Sequence, residues 1–232
     1  MEIVSLDSGR TTWLFPVEEI LPLGGGDGPA LVAAVAERYK FSHPPANPTK
    51  EEVDKNGLKF VGGQFAIGVA RAPIIEFTVF NDGIVAVSLS TEQSEAFLQD
   101  VYEFLLSNFN FRKISSEVRK ANLSTVVIEF KTSLNGLING HEADLIARHL
   151  NKVDGTNYPI ELSRVDFALN KDPEFRPPHI PRLTIEKRAN TPFSQHRYYS
   201  AAPIHTREHL EILQQIETHA MHPRSKAKAV KK

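Results

Sequence analysis

Apolar positions along this chain fall into short alternating runs and a few segments with helical spacing. "RTTWLFPVEEI" is rich in aromatic and β-type residues and predicts a strand, with Pro16 marking it as an edge or bent one. "LGGGDGPALVAAVAERYKF" predicts a loop and then a helix, with Asp27 near the N-cap and Pro29 in the first turn. "SHPPANP" is a break, and "TKEEVDKNG" predicts one short helix ending at Asn56-Gly57. "LKFVGGQFAIG" predicts a strand with a bulge at Gly62-Gly63. In "IIEFTVFNDGIVAVSLS" two apolar runs flank Asn81-Asp82-Gly83, the pattern of a hairpin whose Gly accepts positive φ. "TEQSEAFLQDVYEFLLSNF" then gives an amphipathic helix with Phe97, Leu98, Val101, Phe104 and Leu105 on one face.

The second half follows the same order. "STVVIEF" predicts a strand, "LNGLINGHEADLIARHL" a helix weakened by Gly136 and Gly140, and "PIELSRVDFALN" a strand. "PRLTIEKRA" predicts a strand with Leu183 and Ile185 on one face and Thr184 and Glu186 on the other. "HRYYSAA" predicts a short strand and "TREHLEILQQIETHA" a helix. Both halves therefore read β-α-β-β-β-α. A shift of 115 positions (206 minus 91) places Thr91 on Thr206, Phe97 on Ile212, Leu98 on Leu213, Val101 on Ile216 and Leu105 on Ala220. "QFAI" at 64–67 likewise resembles "DFAL" at 166–169.

The expected architecture is α+β: a mostly antiparallel sheet with helices packed on one face, built from two repeats about a pseudo-twofold. Residues 1–112 form the first half and 113–221 the second, sharing one sheet. Residues 222–232, "HPRSKAKAVKK" from His222 on, form a basic tail expected to be disordered.

Composition narrows the chemistry. The chain has 232 residues, 41% of them hydrophobic and 24% charged, enough apolar material for a sizeable core. The formal net charge of −1 argues against a surface coated in positive charge for nucleic acid. With no Cys, disulfides, thiol catalysis and Cys-based metal sites are excluded. The first residues lack the basic start and apolar run of a secretory signal, and no apolar run reaches membrane-spanning length, so the expected compartment is the cytoplasm.

One stretch matches a metal signature. "IHTREH" contains H-x-x-E-H, the zinc pattern of a peptidase class in which His205 and His209 would bind the metal and Glu208 would activate water. A third ligand is needed, and Glu211 and Glu217, on the same helix, are poorly placed to supply it. Thr206 also reads as a helix N-cap, which puts His205 outside the helix and turns its side chain away from His209. On that reading Glu208 suits the positive helix end and His209 is an ordinary polar position.

Other constellations are weaker. "GGGDG" precedes a helix but lacks the Lys-Ser or Lys-Thr of a phosphate loop, and Asp27 would repel phosphate. His141, Glu142, Asp144 and His149 in "HEADLIARH" have no metal spacing, and Asp144 and Arg148 read as an i, i+4 ion pair. Ser200 has no nucleophile elbow, and the nearby His196 and His205 are not in themselves a triad. The strands around Arg182, Lys187, Arg188, Arg197, Tyr198 and Tyr199 mix basic and aromatic residues, a composition that can bind single-stranded nucleic acid, with Glu186 set among them.

The leading expectation is a non-catalytic cytoplasmic interaction protein without cofactor or metal. Its partner is expected to be a protein rather than a membrane, engaged through a sheet face or edge. The candidate surface is Arg182, Thr184, Glu186, Arg188, Arg197 and Tyr199. Second comes nucleic-acid binding through the same strands and the tail, and third a zinc hydrolase using His205, Glu208 and His209.

Overall fold

β1 (Glu2–Leu14) stops directly before Phe15-Pro16, so the proline lies beyond the strand and does not weaken it. The computed structural model describes all residues except 24–26, 47–49, 139, 156, 159, 169–181 and 223–232. The loop glycines Gly24, Gly25 and Gly26 and the basic tail from residue 223 onward lie outside the described residues. After β1 the chain forms α1 (Gly28–Tyr39), α2 (Lys50–Asn56), β2 (Leu58–Ile67), β3 (Ala70–Phe80), β4 (Gly83–Ser88) and α3 (Thr91–Asn108). Then come β5 (Arg119–Glu129), α4 (Gly140–Asp154), β6 (Arg164–Ala168), β7 (Arg182–Lys187), β8 (Arg197–Ala202) and α5 (Thr206–Met221).

The strands form one antiparallel sheet with hydrogen-bonded order β2-β3-β4-β1-β5-β8-β7-β6, an α+β architecture. The order is a palindrome in connectivity: each half places its first strand innermost and its second strand at an edge. β1 is therefore central, so of the edge or bent strand that Pro16 suggested the edge position does not hold. The chain divides into two compact units. The N-terminal unit comprises Leu6–Ser124 with Pro203–Thr206, and the C-terminal unit holds Met1–Ser5, Thr125–Ala202 and the chain from Arg207 onward.

In the N-terminal unit, capping defines the helices. The Asp27 side chain accepts from Ala30 N–H at 3.1 Å and opens α1; Ser90 accepts from Gln93 N–H at 3.3 Å and opens α3. The α1 helix ends at Lys40, which takes the left-handed conformation with φ 52°. These helices cover the sheet face that carries Trp13, Phe60, Ile74, Phe77, Ile84 and Ala86, and add Val35, Tyr39, Phe97, Leu98 and Val101 to the core. Phe97 is the hub, with ring centroids 4.9 Å from Tyr39 and 5.3 Å from Phe77.

The β2–β3 hairpin carries a change of phase. At mid-hairpin the buried positions step from Phe60 to Gly63 on β2 and from Ile74 to Phe77 on β3, a spacing of three where a pleat gives two. Both strands slip at the same level, so Val61 pairs with Glu76 and Gly63 with Ile74 and the register is kept. Neither strand carries an extra residue, so the bulge expected at Gly62-Gly63 is not formed, and the pleat changes phase there instead. A Cβ on Gly62 (φ +71°) would meet Ser42 Oγ at 2.3 Å, and one on Gly63 would meet the Phe41 ring at 2.5 Å.

The C-terminal unit buries Val126, Val127, Ile128, Phe130, Leu134, Ile185, Tyr198, Ala202 and Leu213. The helix expected from Leu134 divides into a 3-10 turn, Leu134–Leu137, and α4. Gly136 permits the turn, because a Cβ there would lie 2.0 Å from Ala220 O at the end of α5. The helix α5 buries Thr206, His209, Leu213, Glu217 and Ala220, whereas Ile212, aligned with Phe97, is 36% exposed. Helices on one sheet face were expected throughout, but none of the α4 residues 140–153 is buried.

The phase difference between the two aligned helices is measurable. Phe97→Ala should destabilise the protein by about 3–5 kcal/mol, and Ile212→Ala by less than about 1 kcal/mol, in urea unfolding curves. Similar losses at both positions would mean that α5 is rotated from the orientation described.

Candidate functional site

The register of the C-terminal unit decides which strand residues share a face. Arg164 lies opposite Glu186, Asp166 opposite Thr184 and Ala168 opposite Arg182; Glu186 in turn faces Tyr199, and Thr184 faces Ala201. Arg188 N–H donates to Arg197 O at 2.9 Å, which continues the ladder. All six surface residues singled out from the sequence thus occur on one polar face of β6, β7 and β8.

That face is internally compensated. Arg164 donates to both Asp166 carboxylate oxygens at 2.8 and 3.1 Å and sits 3.6 Å from Glu186. The Thr184 hydroxyl donates to Asp166 at 2.7 Å. The Arg164 hydrogen bond, then that from Thr184, holds the Asp166 carboxyl below its usual range. Arg197 donates from Nε and Nη2 to one Glu129 oxygen at 3.1 and 2.9 Å. Its carboxylates draw on the guanidinium groups that phosphate recognition would require.

The H-x-x-E-H residues have separate surroundings. His205 precedes α5, and its Nε2 accepts from the Asn122 side-chain amide at 3.2 Å. Glu208 is exposed in the first turn. His209 is fully buried, with Nε2 2.9 Å from Ser200 Oγ. Because the Ser200 hydroxyl donates its proton to Thr184 O at 2.8 Å, the contact is His209 Nε2–H donating to Ser200. A nucleophilic serine needs the opposite polarity, with the imidazole accepting the hydroxyl proton. Burial alone pushes the His209 pKa down to about 4. His209, expected as an ordinary polar position, is a neutral core residue hydrogen-bonded to Ser200. Among the described residues no three His, Asp or Glu side chains are grouped to hold a metal ion.

Thr206, expected as the cap before the helix, is the first residue of α5. Its hydroxyl accepts Thr91 N–H at 3.0 Å, and Thr206 N–H donates to Thr91 Oγ1 at 2.8 Å. The pair aligned by the 115-residue shift is in direct, reciprocal contact. Sequence reasoning passed over Glu217 except as a metal ligand. It is buried, and its oxygens accept from the chain's amino terminus at 2.5 Å and from Lys131 N–H at 2.7 Å. Burial acts to raise its pKa, but those two donors prevail and hold it below the usual carboxylate value.

α4 departs most from the rest. Leu145, Ile146, Leu150 and Val153 follow helical spacing and are 44, 47, 58 and 82% exposed. Arg148 Nε donates to the Asp144 carbonyl at 3.3 Å, the i, i+4 contact being made to the main chain. No helix among the described residues is long and apolar enough to cross a membrane. Comparison with protein-family models and with curated proteins finds no match to this chain.

The buried imidazole sets a pH dependence. In the folded chain His209 titrates near 4 rather than 6.5, so only the unfolded chain takes up its proton between those values. Its contribution is fully present above about pH 6.5 and is lost as the pH falls toward 4, amounting to about 3 kcal/mol. His209→Gln retains an N–H donor for Ser200 and should flatten this part of the stability profile in urea melts. An unchanged profile would place the titration elsewhere.

Proposed function

We propose that this protein is a non-catalytic interaction protein whose partner is a protein, and that the contact is made by α4 with α4 of a second copy of the chain. The observation that carries this reading is the uncovered apolar stripe of Leu145, Ile146, Leu150 and Val153. Isolated helices of this length are marginal in water, and stability comes from packing an amphipathic face. An exposed stripe of this kind marks an association surface. The remaining surface of the helix carries Glu142 and Asp144 near its start and Arg148 and Lys152 further on. Without a cationic excess it is poorly suited to an anionic membrane. Antiparallel pairing of two copies brings the acidic first turns toward the basic second halves and opposes the helix dipoles. This moves the contact from the polar strand face, as expected from sequence, to a helix. The compensated arginines of that face also weigh against the nucleic-acid reading.

The internal duplication belongs with this proposal. The palindromic strand order and the reciprocal Thr91–Thr206 contact support it. A duplicated chain pairing through only one half yields a closed dimer rather than a filament.

Light scattering on the eluting protein tests the contact. The intact chain should run at the mass of two 25.9 kDa chains, and Leu150→Glu should weaken association at least about tenfold. Because Leu150 is exposed within its own chain, the variant should still unfold cooperatively, with a midpoint that no longer varies with protein concentration. A monomeric parent protein, or a variant that still dimerises, would contradict the proposal.

A further inference from the structure

A cavity of about 190 Å³ lies in the N-terminal unit beneath α1, between that helix, α3 and the sheet. Its walls include Val32 and Val35 from α1, Phe77 and Ile84 from the sheet, and Val101 and Leu105 from α3. Among the described residues, the one polar side chain on its lining is Tyr102, whose hydroxyl accepts from Ile114 N–H at 2.8 Å. Protein interiors close-pack, and voids larger than a water molecule are few. An apolar cavity of about 150 Å³ stays dry and is large enough to bind benzene. Water entering here would find almost no hydrogen-bond partner.

The cavity has an approach. Leu21, Leu31 and Phe111 line it and also line an outer cleft of about 530 Å³ at the start of α1. Leu31, Val32, Leu105 and Phe111 are only partly buried, unlike Val35 and Val101 deeper in the wall. Leu21 is itself 44% exposed at the entrance. An apolar molecule can thus pass over half-exposed apolar side chains without crossing a buried polar group. The cleft adds polar groups at its rim, Asp27 and Asn108 among them, where the hydrated end of a ligand would remain.

We propose that this cavity is a binding site for a small hydrocarbon group, either a compact apolar molecule or the tail of a single-chain amphiphile. Specificity rests on shape and on an apolar wall, because among the described residues no charged side chain lines the interior. The lining holds no residue of α4, and the proposal does not depend on association of the chain.

Benzene and octanoate, added separately to the full chain, test it. Benzene at about tenfold over its dissociation constant should raise Tm by about 2–4 °C. Methyl NMR should show shifts concentrated at Val35, Ile84, Val101 and Leu105. Stabilisation by octanoate as well assigns an acyl tail; by benzene alone, a compact hydrocarbon. Val35→Phe and Val101→Phe fill the space from opposite walls, and each should fold with unchanged or higher Tm and lose the benzene response. The proposal is overturned if neither probe moves Tm or the methyl signals. It is equally overturned if the response survives in both filled variants.

Discussion

A backbone N–H that opens a helix inside a core has no water to turn to. Thr91 and Thr206 are both buried at helix starts, and each has its N–H accepted by the other's hydroxyl. Leaving such a donor unsatisfied costs about 1–3 kcal/mol, so either residue needs the other in place. The surroundings are built to this contact. Gly9 lets β1 pass the start of α3, since a Cβ there would lie 2.0 Å from the Ser90 carbonyl carbon. Ser94 Oγ donates to Gly9 O at 2.6 Å. Thr11 hydroxyl reaches Thr91 O at 3.2 Å and Asn122 at 3.0 Å, and Asn122 carries the network on to His205.

The same demand for internal partners explains the polar residues of α5. His209 and Glu217 occupy core positions where a leucine would serve in an ordinary amphipathic helix. Each is matched to a specific group, His209 to Ser200 and Glu217 to Lys131 N–H and the amino terminus. Removing one partner from such a site leaves the other desolvated, so these residues specify the packing of α5. The chemistry that "HTREH" suggests is absorbed by structural hydrogen bonds. His205 and His209 both spend Nε2 on neighbouring side chains.

Much of the element order was legible because it rests on local rules. The Asn81-Asp82-Gly83 turn, the Asp27 cap and the Phe97–Leu98–Val101 stripe depend on residues close in sequence. The polar set on β6, β7 and β8 was legible through strand alternation. What escaped depends on distant contacts. Gly136 marks a turn only because Ala220 O lies against it. Ile212 matches Phe97 in hydropathy, yet the buried face of α5 is fixed by Thr206, His209 and Leu213, two of them polar. The 115-residue shift paired Thr91 with Thr206 as an alignment; nothing local said that they touch. The exposure of α4 was equally hidden, since a strong apolar stripe ordinarily indicates burial.

A double-mutant cycle measures the reciprocal threonine contact directly. Thr91→Val, Thr206→Val and the pair keep side-chain volume and remove the hydroxyl acceptors. Each single change should cost about 1–3 kcal/mol for the N–H it leaves unsatisfied, and the 3.2 Å contact between the two hydroxyls should appear as coupling between the sites. Coupling near zero, with each single change costing little, would contradict the claim that the two helix starts satisfy each other.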